Sequence, residues 1–392
     1  MQMPCFKKRG VKKMENNEQL QQNTQAQNAY GYTAPTFRQS EDSDDPVIRR
    51  KKVKKSYGAG TTTMVIQFIL LQVVATIGQF IYMVPAAARL VAENPELANN
   101  PAELTPMMLS TMQSDSFFII LLNSISYLIA NPIAFFIGLS LLGKPFGAKD
   151  ILGRMKPAKA LGFGFIAVLG VQGLSMVIQT LATMISGMTG VSENTMNMLT
   201  FSDNTVQNIV MLLYIVIIAP VTEELLLRGL VLNALSPVDK RFALFASALI
   251  FGIFHGNLNQ IFNGFLLGLI FGYIALKTGS VKGSIIAHII ANANVMIISG
   301  VCDNLIGGDT GIMIENIYMV VMLVAGIIGL VIFLKANGKI TSEDKMADYS
   351  IDLPEAAGGA SWKILLTRPS FWIFTICYGF IAISQITAVS AG

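Results

Sequence analysis

Apolar residues in this chain come in long blocks separated by short polar stretches. Crossing about 30 Å of hydrocarbon takes about 20 residues of helix. Runs of that order lie at 62–84, 116–142, 160–187, 206–233, 242–257, 259–276, 283–301 and 313–334. A ninth candidate, SFWIFTICYGFIAISQITAVSAG, fills the chain from Ser370 to its last residue. The fifth and sixth runs are short and separated only by GNLNQ, which predicts a tight pair within the bilayer. The predicted fold is an all-α, polytopic transmembrane helix bundle of eight spans, or nine with the last run.

Composition agrees with the pattern. Of 392 residues, 53% are hydrophobic and 13% charged, where soluble domains carry about a quarter charged. A soluble enzyme is excluded on that balance. Residues 1–56 are polar and Gln/Asn-rich (NNEQLQQNTQAQN), so a disordered, basic cytoplasmic tail is expected there. The basic start is not followed by the apolar stretch of a secretory signal. Cys5, Cys302 and Cys377 are scattered, with no metal-like spacing.

Charge gives an orientation. The tail holds 12 of the 28 Lys and Arg residues, ending in RRKKVKK at Arg49–Lys55. A cluster at that position reads as an anchor on anionic lipid and not as a nucleic-acid patch. Lys144, Lys149, Arg154, Lys156 and Lys159 fall in the next inner loop, then Lys240 and Arg241, then Lys277 and Lys282, then Lys335 onward. The loops at 85–115, 188–205 and 302–312 contain Arg89 as their one basic residue and are otherwise acidic. The positive-inside rule therefore puts the N-terminus in the cytoplasm. The expected organisation is a tail at 1–56, helices at 57–200, a core at 201–302, and one or more further helices with a cytoplasmic linker at 303–392. Gly264, Gly268 and Gly272 share a face of the sixth run, a spacing that lets a neighbouring helix approach closely.

Few ionisable groups remain deep in the apolar runs: Glu223, Glu224, Arg228, His255 and His288. The last two are the only histidines in the chain. Ionisable groups in hydrocarbon are costly and face interior cavities with partners, so each is a functional candidate. Glu224 and Arg228 are four apart and can pair on one helix face. Glu223 lies about 100° around the helix, without that partner. Pro220 removes a backbone donor just before them. Phe251 with His255, and His288 with Asn292, are also four apart.

EExxxR, FxxxH and HxxxN, in this order and using both histidines, resemble the three motifs of the CPBP family. That family groups type II CAAX prenyl endopeptidases with bacteriocin-processing and self-immunity membrane proteins. The resemblance covers about residues 206–300. It implies an intramembrane endopeptidase in which Glu223 and His255 activate water, and His288 and Asn292 donate to the oxyanion. Glu224 and Arg228 would form a supporting ion pair. Read from the residues alone, Phe251 is a packing residue that can also line the substrate groove. A buried carboxylate beside an imidazole suits a general base, and donors aimed at developing charge lower the barrier by several kcal/mol.

A metal reading stands beside this one. Glu223, His255 and His288 could supply three Zn²⁺ ligands with one open position. No HExxH is present and no second shell for the imidazoles is visible in sequence, so a metal-independent glutamate mechanism is favoured and no cofactor is expected. The alternative function is a non-catalytic membrane immunity or adaptor protein of the same family. A proton-coupled transporter is disfavoured, because no repeated halves are visible. Expected partners are membrane lipid and a membrane-associated protein or peptide substrate, with no nucleic acid. The substrate is a prenylated CAAX protein, a leader peptide, a bacteriocin or a membrane-bound regulator, and the expected location is a prokaryotic plasma membrane.

Overall fold

Capping residues set the helix limits. Asp115 accepts from Phe118 N, Asn204 from Val206 N, Asp239 from Phe242 N, and Asn257 from Gln260 N, each opening a helix. Gly143 and Gly279 close the first and last of these helices in the left-handed conformation. The computed structural model describes residues 45–189, 191–193 and 201–388. Its principal helices are α1 (Pro46–Glu93), α2 (Pro101–Ser114), α3 (Ser116–Leu142), α4 (Leu161–Thr189), α5 (Thr205–Leu235), α6 (Lys240–Phe254), α7 (Leu258–Thr278), α8 (Val281–Ile306), α9 (Gly308–Asn337), α10 (Gly359–Leu366) and α11 (Pro369–Ser384). One antiparallel pair, β1 (Val191–Glu193) with β2 (Ile386–Ala388), aligns Ser192 with Thr387. The chain is an all-α polytopic membrane bundle. Among the described residues, seven helices are long and apolar enough to cross a membrane, and α10 with α11, bent by 74°, make an eighth candidate.

Two expectations change. The run at 242–257 is the 15-residue helix α6, about 22 Å long at 1.5 Å per residue, too short to span the hydrocarbon. Its C-terminal end, and His255 with it, stops inside the bundle. Disorder predicted to residue 56 does not hold beyond Pro46, where α1 begins. Lys and Arg are good helix formers, and α1 is held by Ser56 Oγ donating to Ala234 O at 2.6 Å and the Tyr57 hydroxyl donating to Ser361 Oγ at 3.1 Å. Residues 1–44 lie outside the described residues.

The two groups of loops separated by charge gather at opposite ends. At one end Lys156 N donates to Thr278 O at 2.7 Å, Arg241 Nε to Ile340 O at 3.1 Å, and Lys159 N to Asn337 Oδ1 at 3.1 Å. Residues 338–358 pack beneath that end, burying Ile340, Met346 and Leu353. Lys277 pairs there with Asp344 at 2.9 Å. Burial pushes the Asp344 carboxyl up, but Thr341 and Lys277 donating to it hold it below the ordinary aspartate value. At the other end Tyr82 bonds Asp115, Gln207 bonds Ser116, and β1 meets β2.

Glycine brings α6 and α7 together. A Cβ on Gly252 would stand 2.4 Å from Ile261 O, and one on Gly268 would stand 2.9 Å from Ala248 Cα. Gly264 likewise faces Gly252 and the His255 ring, so the expected glycine face packs against α6. Gly256, at φ +56°, makes the turn between the helices in a conformation other residues avoid. This close hairpin fixes how deep His255 sits.

Candidate active site

Pro220 shapes α5 just before the two glutamates. In the π-helical stretch Leu213–Ile218, Ala219 N bonds back to Tyr214 O. Proline has no N–H to offer Ile215 O. That carbonyl is taken instead by Asn292 Nδ2 of α8, at 2.8 Å. A second π stretch, Leu225–Leu232, follows Glu224. Such turns within α-helices are rare and concentrate at functional sites.

Glu224 and Arg228 are both 0% exposed. Arg228 Nη1 donates to Glu224 Oε1 at 2.8 Å, and Nη2 donates to Gly268 O of α7 at 3.3 Å. The guanidinium carbon lies 4.2 Å from the centre of the Phe251 ring and 5.4 Å from that of Phe271. A desolvated cation over an aromatic face gains about 2 kcal/mol. Phe251 is thus buried beneath the ion pair and packs against the guanidinium. In this chain the phenylalanine of FxxxH is a platform for Arg228.

The same Glu224 oxygen reaches α8. His288 Nδ1 stands 3.1 Å from Glu224 Oε1. A carboxylate paired with arginine only accepts, so Nδ1 carries the hydrogen. His288 Nε2 then points toward Glu223 Oε2, 3.9 Å away. The ring is held from its other faces by Phe271, stacked at 4.8 Å, and Phe251, edge-on at 5.7 Å. His255 Nδ1 lies 2.8 Å from Phe251 O, an acceptor, which leaves its Nε2 with the lone pair.

Glu223, His255 and His288 are therefore brought to one region, with Glu224 and Arg228 sealed behind them. Glu223 and His288 are buried, whereas His255 and Asn292 are half-buried and form the edge. Asn292 spends one amide hydrogen on Ile215 O and has a second to offer. With Nδ1 committed to Glu224, His288 can donate to an oxyanion only through Nε2 of the doubly protonated ring.

Both imidazoles do have the oriented Nδ1 partners that metal-ligating histidines use, which sequence had not revealed. Among the described residues, however, no three His, Cys, Asp or Glu side chains are grouped to hold a metal ion.

Sequence reasoning missed the polar residues around Glu223 that carry no charge. Tyr127, Tyr214 and Tyr378 form an aromatic cluster with Phe254. Their rings continue through Phe254 to His255, with Tyr127 5.5 Å from Tyr214 and 6.3 Å from Phe254. Thr222, Asn131 and Gln67 form a buried hydrogen-bonded row beside it. The signal that marks them in sequence is an amide or hydroxyl within an apolar run, which has no charge to set it apart.

Residues 205–294, covering α5 to α7 and most of α8, match the family model described as type II CAAX prenyl endopeptidase Rce1-like. No curated protein and no solved structure matches the chain. The helices that hold the site match a CAAX-protease-type domain, which supports the family resemblance carried by the three motifs.

Glu224→Gln leaves Arg228 buried without its counter-charge, a loss of about 3–5 kcal/mol. Melting temperature and yield are expected to fall, and the double variant Glu224→Gln with Arg228→Met is expected to recover part of the loss. Thermal unfolding in detergent checks both. A single variant as stable as the wild type contradicts the role given to the pair.

Proposed function

We propose that this chain is an intramembrane endopeptidase that hydrolyses a peptide bond of a membrane-associated protein or peptide. The observation that carries the reading is Glu223: a buried carboxylate, 3.9 Å from His288 Nε2, whose neighbouring carboxylate already takes the arginine. Glu223 is the general base. A water held between its carboxylate and the bare Nε2 of His255 loses a proton to Glu223 as its oxygen attacks the scissile carbonyl. His288 Nε2–H and the second Asn292 amide hydrogen stabilise the oxyanion. Glu223 then returns the proton to the departing amine. Glu224 keeps His288 turned, and no metal takes part.

A cavity of about 990 Å³ between α5 and α8 suits the apolar stretch of such a substrate. Ile209, Leu212 and Val216 line one wall, Ala293, Met296 and Ile297 the other. Val216 and Ala293 adjoin Ile215 and Asn292, so the groove leads from the β1–β2 end toward the site. Prenylated CAAX proteins, which the family is named for, are one substrate class, and a leader peptide or bacteriocin is another.

Terminal-peptide proteomics of cells carrying wild type or Glu223→Gln tests the activity. New peptide ends are expected only with wild type, and cleavage of a peptide spanning that junction is expected to fall by about 10²–10⁴ in the variant. Purified protein stripped with chelators is expected to keep its activity. A well-folded, active Glu223→Gln excludes the base, and no wild-type-specific ends would favour an adaptor or immunity protein. Activity lost with bound zinc and restored by it would overturn the metal-free step.

The end of the bundle bearing Lys156, Arg241 and Lys277 is assigned to the cytoplasm, in a prokaryotic plasma membrane. Ser192→Cys is expected to react with an impermeant thiol reagent on intact cells. Reaction only after permeabilisation reverses the orientation.

A further inference from the structure

A continuous row of buried hydrogen bonds crosses four helices and ends one residue from Glu223. Tyr378 of α11 donates its hydroxyl to Gln67 Oε1 of α1 at 2.8 Å. Gln67 Nε2 donates to Asn131 Oδ1 of α3 at 3.1 Å, and Asn131 Nδ2 donates to Thr222 Oγ1 of α5 at 3.0 Å. Thr222 completes the row by donating to Ile218 O at 2.8 Å. Every member is buried, with Gln67 at 0% and Asn131 at 1% exposure. Each donor meets an acceptor, so the row has one direction and no mismatched pair.

Polar side chains are costly in hydrocarbon, and a row of this length exceeds what helix association needs, because such bonds average only about 0.6 kcal/mol. Its end point gives it a use. Thr222 sits on the turn of α5 loosened by Pro220, where helical hydrogen bonding is incomplete. A donor arriving from α3 fixes the hydroxyl and, through Ile218 O, the rotation of that turn. Glu223 is the next residue. The C-terminal helix also holds the opposite side of the site. Gln385, the residue after α11, accepts from Asn257 Nδ2 at 3.1 Å and donates to Gly256 O at 3.2 Å, clamping the turn that follows His255.

We infer that Tyr378, Gln67, Asn131 and Thr222 are positioning residues that hold Glu223 in its reactive direction, so that α1, α3 and α11, all outside residues 205–294, complete the active site. This rests on Glu223 being the general base. A small displacement of a reacting group can cost as much as about 10²-fold in rate. The row therefore acts on turnover and not on substrate affinity.

The test uses full-length protein and, as probe, the synthetic peptide spanning the junction found only in wild-type cells. Tyr378→Phe, Asn131→Leu and Thr222→Val each remove a link with little change of shape. Each is expected to lower kcat by about 10-fold or more per folded molecule, with KM within about twofold. Thr222→Ser, which restores the hydroxyl, is expected to recover most of the turnover. Folded fraction, measured by size-exclusion chromatography and melting, normalises the rates. Wild-type kcat in all three link-removing variants, whatever their stability, overturns the inference and leaves the row a scaffold. A raised KM at unchanged kcat also overturns it, by assigning the row to binding. Glu223→Gln is run alongside. If it is inactive while the three are normal, the inference alone fails. If it remains active, or no junction is found, the general-base reading fails and the inference falls with it.

Discussion

A guanidinium sealed from water must be neutralised in place, and the Glu224–Arg228 pair is the constraint around which the site is built. A lone buried charge costs several kcal/mol, so its surroundings are strongly specified. Arg228 takes a carboxylate from its own helix, a backbone oxygen from α7, and aromatic faces from α6 and α7. Glu224 then has an oxygen placed to accept from His288 of α8. Four helices thus converge on two side chains. The same network that neutralises the charge orients a ring beside Glu223.

Depth is the second constraint. Because α6 is too short to cross, its C-terminal end delivers His255 inside the bundle. Glycine contacts with α7 hold it there, and the left-handed Gly256 turns the chain back. A full-length span would have carried that histidine to the far surface. The π turns of α5 act similarly at finer scale: Pro220 frees Ile215 O, and Asn292 is drawn to it. Local backbone irregularity and side-chain placement are therefore one feature seen at two levels.

Much of this was legible in sequence. Apolar blocks gave the long helices, and Lys/Arg counting separated loops that do assemble at opposite ends. The i, i+4 spacing gave the Glu224–Arg228 pair, and the three motifs gave the residues gathered around it. What was not legible depends on contacts between distant segments. A block such as 242–257 has the hydropathy of a span, and only its caps at Asp239 and His255 reveal the shorter helix. The helical start of α1 rests on partners at Ala234 and Ser361. Phe251 looked like an ordinary apolar residue because its partner, Arg228, is 23 positions away. Gln67, Asn131 and Tyr378 carry no charge and lie in separate runs, so nothing local marks them as one row.

The two histidines make one decisive measurement simple, because nitrogen-15 histidine labels only His255 and His288. Nuclear magnetic resonance in detergent or lipid reports which ring nitrogens carry hydrogen. Both Nδ1 atoms are expected to be protonated and hydrogen-bonded, with His255 Nε2 bare, and the His288 Nδ1 signal is expected to shift in Glu224→Gln while His255 stays nearly unchanged. A bare Nδ1 on His288 in the wild type, or a His288 signal indifferent to that substitution, would contradict an active site organised by the Glu224–Arg228 pair.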